Sequence, residues 1–118
     1  MVLGIAGSRS LSYPLPDEIM PPYIDRIISG GAIGIDRCAR NYAFENRINM
    51  LEILPDYELY GRRAPLMRND IIIRLSDMMY IFWDGKSRGS AYVIKKCIET
   101  GKPYRVFTFE DGKYVPMK

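Results

Sequence analysis

Short apolar runs alternate with segments of helical period along almost the whole chain, and that alternation limits the folds open to it. Val2–Gly7 ("VLGIAG"), Arg26–Ser29 ("RIIS"), Asn49–Pro55 ("NMLEILP"), Met78–Asp84 ("MMYIFWD") and Tyr104–Glu110 ("YRVFTFE") each read as a strand. Between them, Ile35–Asn46 places Ile35, Cys38, Ala39, Tyr42 and Ala43 on one helical face. Ala64–Asp77 carries an apolar stripe with Leu66 and Ile73. Gly89–Gly101 turns Ala91, Ile94, Cys97 and Ile98 inward and stops at Gly101. The proline-broken "YPLPDEIMPPY" leaves room for at most a short irregular helix within Asp17–Ile27. Asp111-Gly112, followed by "KYVPMK", predicts a terminal hairpin.

Strands separated by helices of ten or more residues argue for a parallel sheet covered on both faces. The expected fold is a single α/β domain over residues 1–118: Rossmann-like and doubly wound, with a mostly parallel sheet of about five strands and helices on both faces. A chain of 118 residues suits one domain. Ligands of such folds bind beyond the carboxyl ends of the strands, where strand order reverses. The loops at those ends are therefore the places for a site.

Composition narrows the chemistry. The chain has no histidine, which removes Ser-His-Asp and Cys-His catalysis and imidazole metal ligation together. A net charge of +3 suits an anionic ligand and falls short of a nucleic-acid-binding surface. Cys38 and Cys97 lie far apart inside expected helices, which reads as two buried thiols in a reducing compartment. The first residues carry no basic leader, and the longest apolar run, "MMYIFW", is too short to span a bilayer. The expectation is a cytoplasmic protein without a membrane partner, and no metal site or firmly implied cofactor.

Three loops have the makings of an anion cradle: small residues, hydroxyl donors and a helix N-terminus. The first is Ala6–Ser10 ("AGSRS"), with Gly7, Ser8 and Arg9. The second is "SGGAIGID", with Gly30, Gly31, Gly34 and Asp36; it departs from the dinucleotide GxGxxG because Ala32 stands where its middle glycine belongs. The third is Trp83–Ser90 ("WDGKSRGS"), with Asp84, Ser87, Gly89 and Ser90. Arg68 and Asn69, at the start of the expected helix over Ala64–Asp77, add a guanidinium suited to phosphate. Asp36 reads either as a first-turn charge favouring its helix or as an acceptor for a ligand hydroxyl. Asp84 reads either as part of an Asp-Gly turn or as a catalytic carboxylate.

Taken in order, "GSR", "SGGAIGIDRCARNYA", "RNDIIIRLSD" and "WDGKSRGSAYVIKKCIETGKPYRV" resemble the SLOG superfamily of Rossmann-like domains. The pattern is most similar to the small YspA-type group. It also resembles the Rossmann core of DprA proteins and, more distantly, the lysine-decarboxylase-like phosphoribohydrolases. The resemblance covers Gly7 to Val106. It implies a ligand derived from a nucleotide, or a nucleic-acid strand. Gly7, Ser8, Arg9, Gly30, Gly31, Asp36, Arg68, Asn69, Ser87, Gly89 and Ser90 match the superfamily's binding motifs. It further implies a homodimer. Val93 stands where the phosphoribohydrolases carry their catalytic glutamate, and valine cannot move a proton.

Three functions follow as expectations. The first is binding or sensing of a phosphorylated, nucleotide-derived small ligand at the carboxyl edge of the sheet. The second is hydrolysis or transfer at a nucleotide's glycosidic or phosphoester bond, with Asp36 and Asp84 as the available carboxylates. The third is DprA-like binding of single-stranded nucleic acid, with Tyr57, Tyr60, Arg62, Arg63 and Trp83 as stacking surfaces and charge.

Overall fold

Side chains along Val2–Gly7 (β1) alternate between two apolar layers, as a strand buried on both faces requires. Leu3 and Ile5 enter one cluster and Ala6 the other. Met78–Phe82 (β4) does the same, sending Tyr80 and Phe82 one way and Met79 and Ile81 the other. The computed structural model describes residues 1–117.

The remaining strands are Arg26–Ser29 (β2), Asn49–Glu52 (β3), Tyr104–Glu110 (β5) and Lys113–Pro116 (β6). One sheet takes the order β3-β2-β1-β4-β5-β6. The first five strands run parallel, and β6 returns antiparallel to β5. The sixth strand is the second arm of the terminal hairpin. Asp111 and Gly112 both take positive φ (51° and 79°), which matches the twist of a two-residue turn between Glu110 and Lys113.

Ile35–Glu45 (α1) covers one face of the sheet; Ala64–Leu75 (α3) and Arg88–Thr100 (α4) cover the other. The short Tyr57–Tyr60 helix (α2) precedes α3. The β1–β2 connection lacks a full crossover helix. Its prolines allow only a 3₁₀ turn at Asp17–Ile19, and Leu15 and Met20 seal the α1 face instead. No helix among the described residues is long and apolar enough to cross a membrane.

Some element ends and one helical face differ from the sequence expectation. β3 stops at Glu52, three residues before Pro55. α3 stops at Leu75, where the Ser76 hydroxyl turns back to donate to the Ile72 carbonyl at 2.7 Å. In α4 the buried positions are Ser90, Val93 and Cys97, one step round the helix from the expected stripe. Ile98 is 62% exposed, while Ala91 and Ile94 are half-buried. Tyr42 is likewise half-buried on α1, and Leu66 on α3. Cys38 and Cys97 are both buried free thiols, in clusters on opposite faces of the sheet.

Strand order reverses between β1 and β4. Connections from β1 lead outward through β2 to β3, and those from β4 lead the other way to β5. The crevice beyond the carboxyl ends of β1 and β4 is thus the place where this topology leaves an opening.

Candidate functional site

A cavity of about 450 Å³ occupies that crevice. All three glycine-containing loops reach it. Gly7, Arg9 and Ser10 line it from the β1 loop, Gly30, Ala32 and Asp36 from the β2 loop, and Asp84, Ser87, Gly89 and Ser90 from the β4 loop. Pro65, Arg68 and Asn69 close it from α3, and its aliphatic floor is Ile5, Ala6, Ile72 and Val93. Ser8, Gly31 and Gly34 are not in the wall, and the reasons are structural.

Ser8 is fully buried and joins the two central strand ends. Its amide donates to the Phe82 carbonyl at 2.9 Å, and its hydroxyl accepts from the Asp84 amide at 3.0 Å. Gly34 caps α1 with φ 77°. A Cβ there would lie 2.6 Å from the backbone of Ser8 and Arg9, so the glycine lets two chain segments touch. The Ile35 amide donates to the Ser8 carbonyl at 3.4 Å. The start of α1 is therefore engaged by the chain's own β1 loop, and this end of α1 is less open than the sequence suggests. Gly31 sits against the side chains of Leu54 and Glu52 instead.

Gly30 has a different cause. A Cβ at Gly30 would come 2.3 Å from Arg68 Nη1 and 2.6 Å from its Cζ, and 3.0 Å from Asp36 Oδ2. The bare position is what lets the guanidinium lie across the β2 loop. Arg68 is 8% exposed. Its Nη1 donates to the carbonyls of Gly30 and, at 3.2 Å, Ile53. Its Nε is buried with no partner among the described residues. Burial pulls its pKa below the usual arginine value, opposed by the nearby Asp36 carboxylate; a guanidinium starts so high that it stays charged.

Asp36 is 7% exposed and accepts from the Ala32 amide at 3.1 Å. Burial raises its pKa, against the lowering effects of that amide and of Arg68. It is a buried carboxyl bordering the cavity, and no oxygen of it comes within 4.0 Å of an arginine nitrogen among the described residues.

Asp84 is committed elsewhere. One oxygen accepts the Lys86 and Ser87 amides, both at 2.8 Å, and the other accepts the Ser10 hydroxyl at 2.7 Å. The Ser10 bond first, then those amides, hold its pKa well below the usual carboxylate range. Such a carboxylate is a poor proton donor or acceptor near neutral pH. What it does is fold the β4 loop and bind it to the β1 loop.

That fold presents the start of α4 to the cavity. Ser87 is the N-cap, its hydroxyl accepting from the Ser90 amide at 3.4 Å. The Arg88 and Gly89 amides have no partner among the described residues. A Cβ on Gly89 would meet nothing within 4 Å, so the fold itself places no demand for glycine there. Val93 is 1% exposed and belongs to the core that α3 and α4 form with the sheet, so it is a packing position.

No family model, curated protein or solved structure matches this chain. Sequence reasoning passed over Ser10, which ties the two loops through Asp84, and the aliphatic floor. The "SRS" hydroxyls were a usable signal for Ser10; the floor depends on strand register that no local pattern reveals. Arg62 and Arg63 are exposed and outside the cavity wall, as are Tyr57 and Tyr60. Trp83 is half-buried behind the loop, its indole N–H donating to the Ser87 carbonyl at 3.0 Å.

Proposed function

We propose that the crevice binds a small phosphorylated ligand derived from a nucleotide, with the phosphate held between Arg68 and the first turn of α4. One observation carries this reading: Arg68, which lines the cavity and is nearly buried, keeps its Nε–H without a partner among the described residues, and the unpartnered Arg88 and Gly89 amides begin α4 at the same cavity. Leaving a buried charged donor unpaired costs about 1–3 kcal/mol or more. A charge at an exposed helix N-terminus gains only about 0.3–1 kcal/mol. Arg68 is therefore the main source of affinity, and the α4 amides fix where the anion sits. Arg9, also in the wall, adds a second guanidinium. Asp36 stands where a sugar hydroxyl can donate to it.

Thermal denaturation tests this. Adenosine monophosphate, ADP-ribose and a cyclic nucleotide are compared with adenosine, which lacks the phosphate. A ligand at a hundred times its Kd adds about 2.7 kcal/mol of apparent stability. Stabilisation by the phosphorylated compounds and none by adenosine supports the reading; no shift from any of them, nor from inorganic phosphate, defeats it.

Asp36 favours a second reading, in which the bound nucleotide is cleaved at its glycosidic or phosphoester bond. A buried carboxyl with a raised pKa beside a ligand cavity is suited to proton transfer. Turnover of nucleoside monophosphates that disappears in Asp36→Asn supports it, and turnover unchanged by that substitution removes Asp36 from the chemistry. A homodimer is also proposed, through the apolar surface where Ile98 is exposed beside Trp83 and Ile94; sedimentation at two concentrations tests it.

A further inference from the structure

The segment between β3 and α3 is fastened at both ends and exposed in the middle. At one end the Ile53 amide donates to the Ser29 carbonyl at 2.9 Å, and the Ile53 carbonyl accepts from Arg68 Nη1. At the other end Ala64 is fully buried. None of the ten residues from Leu54 to Arg63 is buried. Leu54 is 66% exposed, Tyr57 57% and Leu59 68%. The segment's hydrogen bonds are local: the Leu59 amide to the Asp56 carboxylate at 3.0 Å, and the Tyr60 amide to the Asp56 carbonyl at 3.0 Å. Neither tyrosine hydroxyl has a partner among the described residues. Gly61 takes φ 57°, and a Cβ there would meet nothing within 4 Å, so the chain bends at a point free of packing.

This exposed stretch adjoins the cavity. Leu54 Cδ2 lies 2.8 Å from where a Cβ of Gly31 would be, next to Gly30 in the β2 loop. The stretch runs directly into α3, whose Pro65 and Arg68 line the cavity. The cavity wall itself contains no aromatic side chain. A phosphorylated ligand in it would find cations, amides and an aliphatic floor, and no flat surface for a ring. The stretch, whose Leu54 reaches the β2 loop, carries two exposed tyrosines, Tyr57 and Tyr60.

We propose that residues 54–63 form a strap that closes over the bound ligand, bringing Tyr57 across the mouth as a stacking platform, so that the site selects anions carrying a planar ring. The proposal rests on the reading of the site given above and adds to it the part of the ligand that is recognised. Stacking of a base on an aromatic side chain is worth roughly 5- to 150-fold in affinity. The strap's first end, at Ile53, is anchored by Arg68 itself, so an anion that draws on Arg68 acts at that end of the strap.

Calorimetric titration of adenosine monophosphate, ribose 5-phosphate and inorganic phosphate into wild type, Tyr57→Phe and Tyr57→Ala tests it. Wild type and Tyr57→Phe are expected to bind adenosine monophosphate at least about tenfold tighter than ribose 5-phosphate. Tyr57→Ala is expected to lose that preference while keeping its affinity for ribose 5-phosphate. Because Tyr57 is exposed, the variant retains its fold, and an unchanged melting temperature checks that. A preference unaltered in Tyr57→Ala, with ribose 5-phosphate still bound, overturns the strap alone. No binding of any of the three by wild type overturns the phosphate site and the strap with it.

Discussion

The Arg68 guanidinium donates from Nη1 to the Gly30 carbonyl and lies over a position that has no side chain to displace it. An arginine from α3 thereby reaches across to the end of β2, and its charge is delivered to the rim of the sheet. The glycine and the arginine are 38 residues apart and form one device.

Gly30→Ala tests that device. The added methyl would meet Arg68 Nη1 at 2.3 Å, and the long side chain is what must move. The expected cost to stability is about 1–3 kcal/mol, as for other overpacked sites. Affinity for adenosine monophosphate is expected to fall as far as it does in Arg68→Met. Titration of both variants checks this; a Gly30→Ala protein that binds like wild type separates the glycine from the arginine.

Gly89→Leu separates binding from stability. The fold leaves open space at that position, so a larger side chain is expected to enter the cavity without disturbing the core. The melting temperature should stay the same or rise, because glycine within a helix costs up to about 1 kcal/mol relative to alanine. Affinity for adenosine monophosphate should fall at least about tenfold, the equivalent of about 1.4 kcal/mol. Unchanged affinity would place the ligand away from the start of α4.

Asp36 carries a pH signature. Burial raises its folded pKa above the ordinary 3.8, so its ionised form works against the fold. That penalty is present above the folded pKa, is relieved as pH falls through it, and is gone below the unfolded value. Asp36→Asn is therefore expected to melt higher than wild type at pH 7, with the gap closing toward pH 4. Melting curves across that range decide it; a variant less stable than wild type at pH 7 contradicts the assignment.

Asp84 has the opposite sign. Its folded pKa is lowered from the ordinary 3.8, first by Ser10 and then by the Ser87 and Lys86 amides. The stability it contributes is full above the unfolded pKa and drains away as pH falls through the folded one. Wild type should exceed Asp84→Asn in urea midpoint at pH 7, and the difference should shrink below about pH 4. A constant difference across this range would mean that the carboxylate charge plays no part in holding the loop.

The alternation of strands and helices was legible because two periods, near 2 and near 3.6, follow from backbone geometry alone. Convergence of the loops was legible for the same reason, since parallel strands present all their carboxyl ends at one edge. What each glycine does there was not legible. Gly30 yields to a guanidinium, Gly34 to the backbone of Ser8 and Arg9, and Gly89 to open space, and the second reason concerns the fold alone. The inward face of α4 was misjudged by one step because Ile98 is apolar and Ser90 is not, yet Ser90 is buried with its hydroxyl 3.5 Å from that of Ser8. Asp84 read from the sequence either as part of an Asp-Gly turn or as a catalytic carboxylate, because strand ends carry such groups; three donors from the loops it joins take up its oxygens.

A crystal structure of the protein soaked with adenosine monophosphate tests the central claim most directly. The account predicts phosphate oxygens at about 2.7–3.1 Å both from the Arg68 guanidinium and from the Arg88 or Gly89 amide. A nucleotide bound elsewhere, or one in this crevice with its phosphate turned to solvent and Arg68 Nε still without a partner, would contradict it.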